Sequence, residues 1–155
     1  VSLNSPAVKN PELITEGARI FGNQCIVLGM DVRKDSTKPS GYGTTIHGGR
    51  VDTGLDALEW AKKGVSLGAG EIVLNSMDAD GMTTGYDVEL TRMIAEAVPV
   101  PVIASGGGGT PQHLADVLKE GKADAALIAS MVHTMGYTVD GIKKDLDKMG
   151  VPVRM

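Results

Sequence analysis

A chain of 155 residues is long enough for one hydrophobic core, and 42% hydrophobic and 22% charged residues are ordinary values for a globular domain. Fifteen basic against 19 acidic residues leave a net charge of −4, which argues against nucleic acid or an anionic membrane as a partner. One cysteine, Cys25, excludes an internal disulfide, so a cytoplasmic location is expected; no signal peptide and no apolar stretch near the ~20 residues of a membrane span is read. Aromatic residues make up only 3%, so packing must rest on Val, Ile, Leu, Met and Ala, and most of the 21 glycines sit where apolar runs end.

Val1–Asn4 reads as the tail of a strand. Asn10-Pro11 is a helix start, a side-chain cap followed by proline, and this helix runs to about Phe21 and stops at Gly22. Cys25–Met30 is a buried strand ending at Asp31. A long polar loop follows from Arg33 to Gly49, within which Gly41-Tyr-Gly-Thr-Thr-Ile46 suggests a small hairpin. Asp52 or Thr53 caps a helix over about Leu55–Leu67, where Leu55, Leu58, Ala61 and Val65 recur at helical spacing. Strands at Glu71–Leu74, Val102–Ala104 and Ala125–Ile128 then alternate with helices at Val88–Ala97, from Thr110-Pro111 to about Glu120, and at Val139–Met149.

Strand, polar loop, helix, repeated at this spacing, predicts a parallel α/β arrangement with its chemistry at the carboxyl ends of the strands. Four such units and a leading remnant make half of a (β/α)8 TIM barrel, which as a whole needs roughly 250 residues. The expected fold is therefore α/β, a single half-barrel domain over residues 1–155. It would hold strands five to eight with their helices and the tail of strand four. A half barrel has two raw sheet edges and an inner face open to water. A homo-oligomer, or a complementing amino-terminal half barrel, is expected to cover them.

Asp31, after Ile26-Val-Leu-Gly-Met30, is a carboxylate at the end of a buried strand, placed to exchange protons with an amine or hydroxyl. The alternative is a helix cap or an ion pair with Arg33 or Lys34. Ser105-Gly106-Gly107-Gly-Gly109 is a strand-to-turn run that exposes backbone N–H groups to a phosphate, with Ala129-Ser130 as its neighbour after the next strand. The alternative is a glycine turn needed only for packing. Asn75 and Ser76 either hydrogen-bond a substrate or cap the strand end. Asp78 and Asp80 suit loop ordering or a substrate hydroxyl better than a metal, since no histidine or cysteine stands beside them. His47, His113 and His133 share no spacing, and His113 is expected on a helix surface. Met77, Met82, Met131 and Met135 read as core or interface filler. No cofactor or metal is expected.

Thr45-Ile-His-Gly-Gly-Arg50, Thr53-Gly-Leu-Asp-Ala-Leu-Glu-Trp60, Gly68-Ala-Gly-Glu-Ile72, Asp78-Ala-Asp-Gly81, Gly85-Tyr-Asp87 and Ala104-Ser-Gly-Gly107 together resemble the cyclase subunit of imidazole glycerol phosphate synthase, HisF. Val1-Ser-Leu-Asn-Ser5 and Gly150-Val-Pro-Val-Arg154 extend the resemblance over the whole chain, to the carboxyl-terminal half of that family only. The sister isomerase of the preceding histidine-pathway step is a poorer match at Gly85-Tyr86-Asp87.

The resemblance implies a lyase of histidine biosynthesis. It converts a ribulosyl aminoimidazole carboxamide ribonucleotide, with ammonia from a glutaminase subunit, into imidazole glycerol phosphate and aminoimidazole carboxamide ribotide. By the same resemblance, Asp31 is one of two acid–base aspartates, and the other lies on a first strand that has no counterpart here. One substrate phosphate falls on Asp80-Gly81, Gly107 and Ala129-Ser130, with Met82 where the family has threonine. Asn4 and Ser5 match half of a second phosphate site, and Glu71 matches a residue that gates the ammonia passage. The chain alone is expected to be inactive. A non-catalytic, self-associating, phosphate-binding fragment is the other expectation.

Overall fold

The computed structural model describes residues 1–155. Elements follow in the order β1 (Ser2–Leu3), α1 (Ser5–Lys9), α2 (Glu12–Phe21), a 3-10 turn (Asn23–Cys25), β2 (Val27–Lys34), β3 (Tyr42–Ile46), β4 (Val51–Asp56) and α3 (Ala57–Leu67). Then come β5 (Glu71–Ser76), α4 (Val88–Ala97), β6 (Val102–Ser105), α5 (Pro111–Lys119), β7 (Ala125–Ala126), α6 (Ser130–His133) and α7 (Val139–Lys148).

Strands β1, β2, β5, β6 and β7 lie side by side in chain order and are all parallel. Connections of one hand between sequential parallel strands put every helix on the same face. Burial along the strands follows: Leu28, Met30, Ile72, Leu74, Val102 and Ala104 are buried under the helices, while Asp31, Glu71, Val73, Asn75, Ile103 and Ser105 alternate with them and keep part of their surface. Each of the large apolar side chains under the helices contributes about 1.5–3 kcal/mol by leaving water. One core joins α2, α3 and α4 to the sheet through Ile14, Trp60, Leu90 and Ile94; a second, around Met131, joins α5 and α7 through Leu114, Val117, Ile142 and Leu146. No helix is long and apolar enough to cross a membrane.

The edge of β2 opposite β5 is shared. Its first residues pair with β1, and Asp31–Lys34 pair antiparallel with Thr45–Tyr42 of the β3–β4 hairpin. The expected small hairpin is thus two full strands, and Val51–Asp56 is strand where the helix was expected to begin. The helix starts at Ala57 because Asp56, not Asp52 or Thr53, accepts the Glu59 N–H at 3.1 Å. Asp52 instead accepts from Gly54, and Thr53 donates to the Thr44 carbonyl, which holds both in the strand.

Other boundaries also differ. Asn10 makes no cap; Pro11 takes that position, and Ser5-Pro6 opens a separate short helix. Cys25 is not in a buried strand but ends the 3-10 turn, exposed. The strand continues past Asp31 to Lys34 because the hairpin supplies its partners. The last strand is only Ala125–Ala126, and Ser130–His133 forms an unforeseen turn of helix. Met131 is fully buried, as core filler should be, whereas Met82 and Met135 are exposed.

The loop before the hairpin is held by carboxylates. Asp35 accepts from the Thr37 hydroxyl and N–H and pairs with Lys38 at 3.1 Å, and Lys38 also reaches Asp52 at 3.4 Å. The Thr37 hydroxyl is the main cause that lowers the Asp35 carboxyl from 3.8 to about 2. Burial opposes the charge on Asp56, but the hydroxyl and N–H of Ser40 and the Glu59 N–H outweigh it and hold its carboxyl below the ordinary range. Both carboxyls titrate lower when folded, so their stabilisation is present above the ordinary carboxylate range. It is lost as pH falls through the folded values, from 3.8 toward about 2 for Asp35. Asp56→Ala is expected to cost about 1–2 kcal/mol at neutral pH. In thermal melts the Asp35→Asn/Asp56→Asn variant should lose less Tm on acidification than the native chain; equal losses would exclude these carboxylates as the cause.

Candidate functional site

Parallel register sets Asp31, Asn75 and Ser105 in one row across β2, β5 and β6, at the carboxyl ends of the strands and on the face away from the helices. Asp31 is half-buried. Its carbonyl accepts the Thr45 hydroxyl at 2.9 Å, so the hairpin clamps its backbone. Its carboxylate accepts from the Asn75 side-chain amide at 3.4 Å. The expected alternative, an ion pair with Arg33 or Lys34, does not form. Arg33 extends toward Gly49 at the hairpin tip, and the Lys34 N–H donates to Asp78 at 2.8 Å. Asp78 therefore orders the end of β2.

Beyond this row, three loops close around a cavity of about 50 Å³, room for several waters or one small anion. The loop after β5 supplies Asp80, Gly81 and Thr83; the loop after β6 supplies Ser105, Gly106, Gly107 and Gly108; the loop after β7 supplies Leu127, Ala129 and Ser130. The N–H groups of Gly81, Thr83, Gly106, Gly107, Gly108, Ala129 and Ser130 find no acceptor within the chain. A cavity whose lining residues carry free N–H donors suits an oxyanion, because each of its oxygens accepts several hydrogen bonds.

The glycine run after β6 is required by contact. Gly107 has φ +106°, and a Cβ there would collide with the Gly85 carbonyl oxygen; one on Gly109 would collide with the Thr83 carbonyl. The Gly85 N–H in turn donates to the Gly107 carbonyl at 2.8 Å. Tyr86, buried behind these glycines, donates its hydroxyl to the Leu127 carbonyl at 2.8 Å and so ties the loop after β5 to the loop after β7. Burial pushes its phenol up to about 12, which keeps it a donor at neutral pH. Tyr42 has its phenol raised as well, by burial first and the Asp87 carboxylate second.

Most of the residues singled out in the sequence come together here. Asp80, Gly81, Ser105, Gly106, Gly107, Ala129 and Ser130 line the cavity. Ser76 points to the helix side, where its hydroxyl accepts the Ala79 N–H at 3.3 Å and caps the turn, the alternative role weighed for it. Asn4 follows β1, beside Gly29 of the neighbouring strand, with its Oδ1 buried and unpartnered; Ser5 opens α1. Glu71 starts β5, paired with Val27 at the opposite end of the sheet from Asn75. Sequence reasoning missed Thr83 and Leu127 as lining and Tyr86 as a brace. Tyr86 had left a signal, an aromatic between glycine and aspartate in a chain poor in aromatics. His113 is a correction: it is half-buried rather than on the surface, and its Nδ1 accepts the Gly109 N–H at 3.1 Å.

The family model described as "Histidine biosynthesis protein" matches residues 1–138. Curated relatives named imidazole glycerol phosphate synthase subunit HisF align along nearly the whole chain. That of Desulfatibacillum aliphaticivorans is 64% identical over 99% of this chain and 60% of its own length. The one from Desulfosudis oleivorans is 60% identical over 100% and 61%, and the one from Prochlorococcus marinus 51% over 99% and 60%. The chain thus spans about 60% of the length of the curated relatives it matches. With this sheet and this cavity, the chain belongs to the histidine biosynthesis protein family.

Proposed function

We propose that this chain is the carboxyl-terminal part of a HisF-type cyclase, folded as half of a (β/α)8 barrel, with Asp31 as an acid–base group and one phosphate site between the loops after β5, β6 and β7. The observation that carries this reading is that seven of the ten residues lining one small cavity have backbone N–H groups without an acceptor, at the same end of the sheet as Asp31. Five parallel strands in chain order, helices on one face and a part-exposed opposite face support the half barrel. Parallel sheets are normally covered on both faces. The rest of the barrel, or a second copy, takes the uncovered side.

In this reading the substrate is the ribulosyl aminoimidazole carboxamide ribonucleotide, held by one phosphate in the cavity. Asn4 and Ser5, at the end of β1, contribute to the site of the other phosphate. Asn75 orients the Asp31 carboxylate, which moves protons as ammonia adds and the imidazole ring closes. The products are imidazole glycerol phosphate and aminoimidazole carboxamide ribotide. Ammonia enters from a glutaminase subunit docked at the amino-terminal end, where Glu71 stands. The second acid–base carboxylate comes from the part of the barrel that the curated relatives have in addition. General acid–base catalysis contributes about 10²–10⁴-fold and needs both groups within hydrogen-bond reach. A misplacement of about 1 Å costs around 100-fold, so this chain alone should turn over only traces.

Inorganic phosphate at about 100 times its Kd should stabilise the chain by about 2.7 kcal/mol in thermal melts. Gly107→Val should abolish that gain, and an unchanged gain would move the site elsewhere. Sedimentation at micromolar concentration should give a species larger than 16.1 kDa, since the open sheet face and edges call for a partner. A clean monomer with cooperative unfolding would remove the half-barrel argument. Adding the amino-terminal half of a related cyclase should restore ammonia-dependent turnover, and Asp31→Asn should remove it. Rescue that survives Asp31→Asn would take the catalytic role from this residue.

A further inference from the structure

His113 belongs to none of the roles above, yet it is the only side chain that binds the glycine run itself. It stands in the first turn of α5, where its own N–H donates to the Thr110 carbonyl at 3.1 Å and to the Thr110 hydroxyl at 3.3 Å. That start of the helix fixes its backbone, and its ring turns back over the preceding loop. Nδ1 accepts the Gly109 N–H at 3.1 Å, which requires a lone pair on Nδ1 and therefore a ring proton, in the neutral form, on Nε2. The other face of the ring lies against Gly85, within 3.6–3.8 Å of where a Cβ on that residue would stand. Gly85 is the residue that donates to the Gly107 carbonyl. One imidazole thus lies against two of the three loops that shape the cavity, those after β5 and β6.

Four consecutive glycines are the least restrained backbone a chain can have, and they lose the most freedom when a single conformation is imposed. Within Gly106–Gly109, the Gly109 N–H is tied back to His113, while the N–H groups of Gly106, Gly107 and Gly108 have no acceptors, and all three residues line the cavity. Tying the one donor fixes the peptide plane between Gly108 and Gly109, which limits the rotation open to the Gly107 and Gly108 donors just before it.

We propose that His113 is a positioning residue for the anion cradle: its Nδ1 anchors Gly109 so that the N–H groups of Gly107 and Gly108 are held toward a bound phosphate. This role rests on the phosphate reading of the cavity. It predicts that the acceptor atom matters more than the ring. Asn places its Oδ1 where histidine places Nδ1, Gln places its amide one bond farther out, and Leu keeps similar bulk without any acceptor.

The test is titration of the full chain with inorganic phosphate, together with exchange of the Gly109 amide followed by NMR. His113→Leu should weaken phosphate binding roughly 3- to 10-fold and leave the Gly109 amide exchanging fast. His113→Asn should bind within about twofold of the native chain and keep the amide protected. His113→Gln, which keeps a polar helix start, should behave like the leucine variant and stands in for it if that variant does not fold. Native affinity in the leucine or glutamine variant, or equal weakening in the asparagine and leucine variants, overturns the role of His113 alone. Failure of the native chain to bind phosphate overturns the phosphate reading, and the positioning role with it.

Discussion

The loops after β5 and β6 meet backbone to backbone, and the cavity exists because of that contact. Gly107 lies under the Gly85 carbonyl and Gly109 under the Thr83 carbonyl, at separations that leave no room for a side chain. Peptide groups brought this close must satisfy one another. The Gly85 N–H to Gly107 carbonyl bond does so at 2.8 Å, while the N–H groups of Gly106, Gly107 and Gly108 remain without partners. The third wall, after β7, comes with Tyr86, whose ring backs the glycines and whose hydroxyl holds the Leu127 carbonyl. A methyl group at position 107 or 109 would push these loops apart and open the site to water.

Asp31 depends on a different constraint. Its strand is paired on both edges at that point, by β5 on one side and the hairpin on the other, so the carboxylate projects from rigid backbone. The hairpin holds its own position through Asp56, which caps α3 and also binds Ser40, and through Lys38 between Asp35 and Asp52. The polar excursion between β2 and α3 is in this sense the support of the catalytic candidate, and its carboxylates tie that support to pH.

Much of the framework was legible in the sequence. The helix Val88–Ala97 is observed with the same bounds, and Thr110 caps α5 as its Thr-Pro pair predicts. Strand positions at Glu71 and Val102 agree at their first residues. These are local signals, a side chain binding the backbone within a few residues or an apolar period of 2 or 3.6. The cavity-lining run Ser105–Gly107 was also visible, since glycine after a buried strand signals close approach. Beside smaller failures at Asn10, Cys25 and Ser130–His133, the largest lies between residues 33 and 56. There, strand character comes from partners across the sheet, so Asp52, Thr53 and Asp56 all look like caps until the pairing of β3 with β4 removes two of them.

The sequence by itself determined the order of the parallel strands and of the longer helices between them, where most of those helices end, and which strand ends carry glycine and polar side chains, because each of these is decided within about one turn of chain. Only the tertiary structure decided which of those polar ends face one another. Parallel register put Asp31, Asn75 and Ser105 in a single row, and loop contact between residues up to 41 positions apart, Tyr86 and Leu127, closed the cavity. His113 shows the difference most plainly. Its place in a helix follows from the residues before it, but its hydrogen bond to Gly109 exists only because the glycine run folds back under the ring, held by a loop that begins more than 25 residues earlier in the chain.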